Sequence, residues 1–455
     1  MNPEFRRLLL SEFQGYRLIA LPVVLAGTFI VAYLANGREL DTGTAFVAVL
    51  AYFALVFIWG TRQAAESVVQ EINAKTWDPQ RMSSMSAWGM AWAKLFGSTS
   101  LTWVGGAVCL VFYAVSNVET WGRAATLNAV VLYAGAGLLA QAVCLLVSLT
   151  AIQRRREFGR VRMLSYQFLG LLAALPPLYI GMSVTGGEGV MDLMRWYGQY
   201  VTLARFMMVA MLAFGFWALA GNWALMRAEL QEPLGPWLWL GFVVFAMALV
   251  GGVRTLPMGA NAALVLIDVP STPEMVLGCG LALVYLALML EPKGRVRLRR
   301  LAGRLAARDI AAALKLAPRS LLAVPVVAIG VTAAAVGTRD YTAAQAVALH
   351  PMLAAWLLFA LRDIGFVYWL CLGRRDGRGE GVAAVVLLLA YGAVPATLNP
   401  ESLAPLSALF APVMPTSSGT ALRIWSIAAP ALELLCVGWL LSRRWRRAAQ
   451  PPNGS

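Results

Sequence analysis

One histidine, His350, and five cysteines, Cys109, Cys144, Cys279, Cys371 and Cys436, are all that this chain offers toward metal or thiol chemistry. A single imidazole builds neither a histidine-based metal site nor a Ser–His–Asp triad. The cysteines sit in or beside apolar runs at no ligand spacing, and read as small buried hydrophobes. His350 precedes Pro351 and reads as a hydrogen-bonded structural group beside a helix kink. The H-E-x-x-H and G-x-S-x-G patterns are missing, and so is G-x-x-x-x-G-K-[ST], the loop that cradles nucleotide phosphates. Chemistry on a bound substrate, metal or nucleotide is therefore not expected of this chain, and no catalytic, cofactor-binding or metal-ligating residue is assigned.

Charged side chains are more informative. Between positions 61 and 94 lie Glu66, Glu71, Asp78, Arg81 and Lys94, interleaved with Thr76, Trp77, Gln80, Met82, Trp88 and Trp92. Both signs of charge mixed with tryptophan and methionine suit a surface that touches lipid and a partner protein. Connections between bundle helices usually take about 2–8 residues, so this stretch is long for a passive connector. Its start reads as helix, Asp78-Pro79 as a turn or helix start, and 82–94 as an amphipathic approach to the membrane. Glu433 stands alone in the middle of the apolar run 424–441. A carboxylate there costs about 2.5–3.5 kcal/mol to insert, so Glu433 reads either as a hydrogen-bonded structural group or as part of a transport path.

The elements that position these residues follow from composition. Hydrophobic types make up 60% of the 455 residues, charged types 13%, and the mean hydropathy is +0.68. A soluble protein holds about 25% charged residues, so a soluble fold is excluded and an all-α polytopic membrane bundle is expected. The apolar runs give about twelve spans: 18–34, 43–60, 95–116, 126–152, 163–182, 203–221, 236–253, 275–290, 320–337, 343–361, 381–398 and 424–441. Arg362 and Asp363 interrupt the tenth run, and are placed at its cytoplasmic end with 364–372 as an interfacial segment. Before the first span, Phe5, Leu8, Leu9, Phe13 and Tyr16 share one face and Glu4, Arg7, Ser11 and Glu12 the other. That pattern is an N-terminal interfacial amphipathic helix.

The net charge of +14 does not point to nucleic acid, because the basic residues form short clusters between apolar runs. With the N-terminus placed inside, 26 of the 37 fall at 62–94, 154–162, 227, 293–319, 374–378 and in the tail from Arg443 to Arg447, and Arg6, Arg7, Arg17 and Arg362 bring the inner side to about thirty. Both termini are thus expected in the cytoplasm, with the chain in a bacterial inner membrane. The stretch from Leu18 to Val24, with Pro22, is echoed from Leu321 to Val327, with Pro325, so 1–230 and 231–447 are expected as two halves related by a weak repeat. Residues 448–455 read as a disordered tail.

On its inner segment the chain resembles the permease subunits of type-2 ABC transporters, mostly exporters. In them an interfacial helix and two spans precede a cytoplasmic segment with a glutamate, a turn, small residues and a lysine entering the third span. Glu71, Thr76, Asp78, Gln80, Arg81, Ser83 and Lys94 stand where that pattern puts them, and the resemblance covers about the first 230 residues. It implies an ATPase subunit as a separate chain, in two copies, which binds the ATP and Mg²⁺ and docks on this segment. The remaining partners are the bilayer and, as an open alternative, a second permease copy. The competing readings are an ion-coupled secondary transporter and a non-transport scaffold. The segment 373–378 faintly resembles the Asp/Arg/Gly loop of the major facilitator group, with the residues in another order.

Overall fold

Asn2 and Pro3 start the first helix, α1 (Pro3–Glu12). The Asn2 side chain accepts the Glu4 backbone N–H at 3.0 Å, and proline's fixed φ suits the first turn. The computed structural model describes residues 2–83, 85–155, 160–185, 193–232, 234–255, 272–337, 343–373, 379–393, 409 and 420–449. The loop 374–378, the segment 394–408, the side chain of His350 and positions 450–455 of the tail lie outside what is described. The chain divides into two compact units, Met1–Leu234 with Thr255–Leu266, and Gly235–Arg254 with Ile267–Ser455.

In the first unit α2 (Gly15–Ala35) carries exposed Ile19, Val23, Val24 and Val31, the outward aliphatic face expected of a span. A reciprocal cap between Asp41 and Thr44 begins α3 (Thr42–Tyr52). This helix continues through a π-helical stretch, Phe53–Gly60, into α4 (Thr61–Asn73). A π turn displaces backbone carbonyls from their α-helical donors. Here Gln141 Nε2 donates to the Val56 carbonyl at 3.1 Å, and Gln167 Nε2 to that of Ile58 at 3.0 Å. Gly60 permits that approach, since a Cβ there would lie 2.3 Å from Gln141 Nε2. Two short helices follow, α5 (Trp77–Arg81) and α6 (Ala87–Trp92), and a second π stretch, Ala93–Gly97, leads to α7 (Ser100–Arg155).

The helix α7 is broken at Gly122, whose φ of 77° is open to glycine and strained for other residues. The chain folds back there, so that Trp103 Nε1 donates to Gln141 Oε1 at 2.8 Å and Tyr113 stands edge-on to Tyr133. Next come α8 (Arg160–Thr185), an antiparallel hairpin of β1 (Leu193–Trp196) and β2 (Gln199–Thr202) with Leu193 opposite Thr202, and α9 (Leu203–Glu229). The core of the unit is built on Tyr52, Val56, Phe57, Val68, Leu132, Leu145 and Leu149, with Cys109 and Cys144 buried in it.

The second unit holds α10 (Trp237–Gly251), α11 (Thr272–Leu290), α12 (Arg295–Ala306), α13 (Ile310–Leu316) and α14 (Arg319–Gly337). It is completed by α15 (Ala343–Gly373), α16 (Gly379–Leu388) and α17 (Thr420–Ala449). Val243, Met247, Val276, Val284, Val327, Ala360 and Val367 form its core. Glu291, just past α11, accepts the Ser320 N–H at 3.2 Å and the Tyr368 hydroxyl at 3.0 Å, so one carboxylate closes the start of α14 and holds α15.

Eight helices among the described residues are long and apolar enough to cross a membrane, which makes the architecture an all-α membrane bundle. Two expectations are corrected. Arg362 and Asp363 do not end the tenth span: α15 runs unbroken from Ala343 to Gly373, and the span-length stretch Pro351–Leu372 contains both charges. The reason is internal pairing, described below. Nor is the polar face of α1 wholly solvated: Glu4 on it is buried, while Arg7 stays half-exposed.

Candidate functional site

Lys94 sits in the π stretch that opens α7 and is 0% exposed. A buried ammonium must spend all its donors on acceptors. Its Nζ donates to Glu4 Oε1 at 2.7 Å, to Gln80 Oε1 at 3.1 Å and to a carboxylate oxygen of Glu71. Arg7 closes the group, bridging Glu4 at 2.7 and 2.9 Å and reaching Glu71, while Gln80 Nε2 donates to Glu71 at 2.9 Å. Two carboxylates thus face two cations, and Trp77 roofs them with its ring 5.8 Å from Lys94 Nζ. Asn2 adds a strut by donating to the Gly89 carbonyl at 2.6 Å. The network pins α1, α4, α5 and the start of α7 together.

This geometry sorts the residues expected to couple to a partner. Glu71, Trp77 and Lys94 are buried and turned inward. Glu66 is half-buried and held by Arg62 at 2.9 Å and Gln70 at 3.0 Å on its own helix. Arg81 reaches α9, donating to the Glu229 carbonyl at 3.0 Å, where a cation also suits the helix's C-terminal end. Thr76 and Asp78 face outward, and so do Lys75 and Met82; Asp78 is 84% and Met82 88% exposed. The segment therefore has an inner face that fastens and an outer edge that is free to touch something else. In the sequence Glu4 and Arg7 stand only as part of the polar face of an interfacial helix, with no sign of their pairing to Lys94 and Glu71. The only local signal was opposite charges one helical turn apart, and a solvated face gives the same signal.

Burial acts to raise the Glu4 carboxyl, but hydrogen bonds and charge from Arg7 and Lys94 outweigh it and hold it at about 2. The folded value lies below the ordinary glutamate value of 4.5, so the stabilisation is complete above pH 4.5 and is lost as pH falls toward 2. Its size is roughly 3 kcal/mol. Protection factors of the α1 amides, taken relative to unstructured peptide at the same pH, should fall over that window in the wild type, with a Glu4→Gln variant already poorly protected at neutral pH. Protection factors that stay constant between pH 5 and 2.5 count against the assignment.

The second unit carries a polar cluster within its spans. Asp363, 1% exposed on α15, accepts the Tyr285 hydroxyl of α11 at 2.7 Å and the Tyr391 hydroxyl just after α16. Arg362 pairs with Asp363 at 2.8 Å and with Glu433 of α17, and donates to Tyr391 at 2.9 Å and to the Leu409 carbonyl at 3.2 Å. Its guanidinium also lies 4.6 Å from the Phe359 ring centroid. Glu433 is therefore not isolated, as the sequence suggested, but ion-paired. Two carboxylates share one guanidinium, an arrangement that suits either structural cross-bracing or a site that responds to positive charge.

Fold and sites together define the class, a predominantly helical, multi-pass membrane protein with two internal clusters of paired charge among its described residues. No family model matches the chain, and comparison with curated proteins and with solved structures yields no match either.

Proposed function

We propose that this chain is the membrane subunit of an ATP-driven exporter, working by alternating access that a separate ATPase subunit powers. What carries the reading is the fastened inner segment. The helix α4 is continuous with α3, and α6 runs on toward α7, so the Glu4–Lys94–Glu71 network joins the outer edge at Lys75–Met82 to two membrane helices. A push on that edge reaches the spans without bending a loop. The sequence likeness to type-2 ABC permeases points the same way. Counting the two arms of α7 separately and adding the three shorter apolar helices, Leu164–Ile180, Trp237–Gly251 and Gly379–Tyr391, gives twelve passes. Both termini then lie in the cytoplasm of a bacterial inner membrane. In this reading α1 lies in the membrane interface, two ATPase copies hold the ATP and Mg²⁺, and a second permease copy is the further partner.

Asp78→Arg is the direct test, because Asp78 is exposed and its one ion pair among the described residues, to Arg81, is long at 3.5 Å. Reversal at a docking edge sets like charges against each other, at a cost of several kcal/mol. Retention of the ATPase on purification should fall at least tenfold while membrane insertion stays normal. Reversal at Arg38, outside this segment, should leave retention unchanged. Full retention and wild-type transport with Asp78→Arg would remove the coupling role. Glu71→Lys is unsuitable for this purpose, since Glu71 is buried against Lys94 and the change tests folding.

The Arg362–Asp363–Glu433 cluster favours a second reading, an ion-coupled secondary transporter, because charges within spans mark ion paths. Transport that survives loss of the ATPase and collapses with an uncoupler selects it.

A further inference from the structure

Between α11 and α14, both of span length, the chain leaves and re-enters the membrane through α12 and α13. Two consecutive spans joined by 291–318 return the chain to the side it left, and a connection so placed borders the lipid headgroups. From 295 to 316 the sequence carries seven basic residues against one acid, Asp309. No residue of α12 is buried. Two of its arginines are consumed in placing it: Arg295 donates to the Leu372 carbonyl, and Arg297 to those of Leu316 at 3.1 Å and Ala317 at 3.4 Å. The fastening fixes α12 against α13 and leaves a groove of about 610 Å³, lined by Arg300, Gly303, Arg304, Ala307 and Leu316.

We propose that this groove binds the headgroup of an anionic phospholipid, independently of whether an ATPase drives the protein. Arg300 has no acidic partner among the described residues, and Arg304 has only the half-buried Asp309, 3.1 Å away. The two guanidiniums stand one helical turn apart, a spacing that lets both donate to one phosphate. Leu316 on the groove wall, with exposed Leu305 and Ile310 beside it, supplies apolar surface where the glycerol and upper acyl chains begin. Charge selects the lipid: a phosphatidylglycerol headgroup brings an uncompensated negative charge, whereas phosphatidylcholine adds a cation that the surrounding arginines repel.

The test uses the full chain in nanodiscs of phosphatidylcholine containing a few per cent of a diazirine-bearing phosphatidylglycerol, with photolabelled peptides mapped by mass spectrometry. Labelling of 295–316 should exceed that from the matching phosphatidylcholine probe at least tenfold. The Arg300→Gln/Arg304→Gln variant should need about thirtyfold more probe for equal labelling of that segment, at about fivefold for each guanidinium lost. Labelling of the 424–441 segment should stay as in the wild type, which controls for folding, and Arg62→Gln should change nothing. Equal labelling by the two probes on the wild type overturns the proposal, as does an unchanged double variant. Displacement of the label by millimolar inorganic phosphate overturns it too, because a free anion rather than a lipid would then fill the groove.

Discussion

Lys94→Met should be the most damaging single substitution in the first unit, costing about 3–5 kcal/mol. Removing one partner of a buried ion pair leaves the other charge without compensation, and here two carboxylates, Glu4 and Glu71, are stranded together. Methionine fills nearly the same volume, so the loss is electrostatic and not a cavity. Arg7 still touches both carboxylates, but its side chain is half-exposed and cannot take the place of a fully buried ammonium. The thermal midpoint of the purified chain should fall by several degrees, and proteases should release the N-terminus first, since α1 is held through Glu4. A second change separates pairing from packing: Lys94→Met combined with Glu4→Gln and Glu71→Gln should recover much of the loss, because no buried charge then remains. A Lys94→Met midpoint within a degree of wild type would show that the network contributes nothing to the fold.

The contrast between what was legible and what was not follows sequence separation. Apolar runs are local, and a window of about 20 residues registers them. The run 18–34 is found as Gly15–Ala35, 203–221 as Leu203–Glu229, and 275–290 as Thr272–Leu290. The inner segment's helical start was legible for the same reason, and of the two readings of Asp78-Pro79 the helix start is the one found. The clusters were not, because their partners are far apart along the chain. Lys94 meets Glu4 across 90 positions and Glu71 across 23. Asp363 meets Tyr285 across 78, and Arg362 meets Glu433 across 71.

Hydropathy treats an unpaired charge as the end of a span, which is correct for a charge facing lipid. Arg362 and Asp363 defeat that rule because each supplies the other's counter-charge at the same depth. The same reasoning left Glu433 without a partner, since its cation had been moved to the membrane edge. Two adjacent opposite charges inside an otherwise apolar run, with a lone carboxylate in another run, were the available signal. Taken together they point to a bridge between helices.

That bridge makes Arg362→Leu the harshest test in the second unit, with an expected cost again of about 3–5 kcal/mol. Leucine suits the span, and hydropathy alone would call the change an improvement. The structure says otherwise, since Asp363 and Glu433 would then both lack a cation, and Asp363 has no route to solvent. Glu433→Gln should be mild by comparison, at about 1 kcal/mol or less. The amide oxygen still accepts from Arg362, whose charge remains matched by Asp363. Thermal midpoints of the two purified variants, compared with Arg362→Leu/Asp363→Asn/Glu433→Gln, measure the pairing. The triple variant should recover stability relative to Arg362→Leu because it buries no charge. Transport then assigns the role. If Glu433→Gln assembles normally and transports normally, the cluster is cross-bracing between α15 and α17. If it assembles normally and transport stops, the Glu433 carboxylate takes part in the pathway. An Arg362→Leu chain as stable as the wild type would mean that these charges are not paired within the bundle at all.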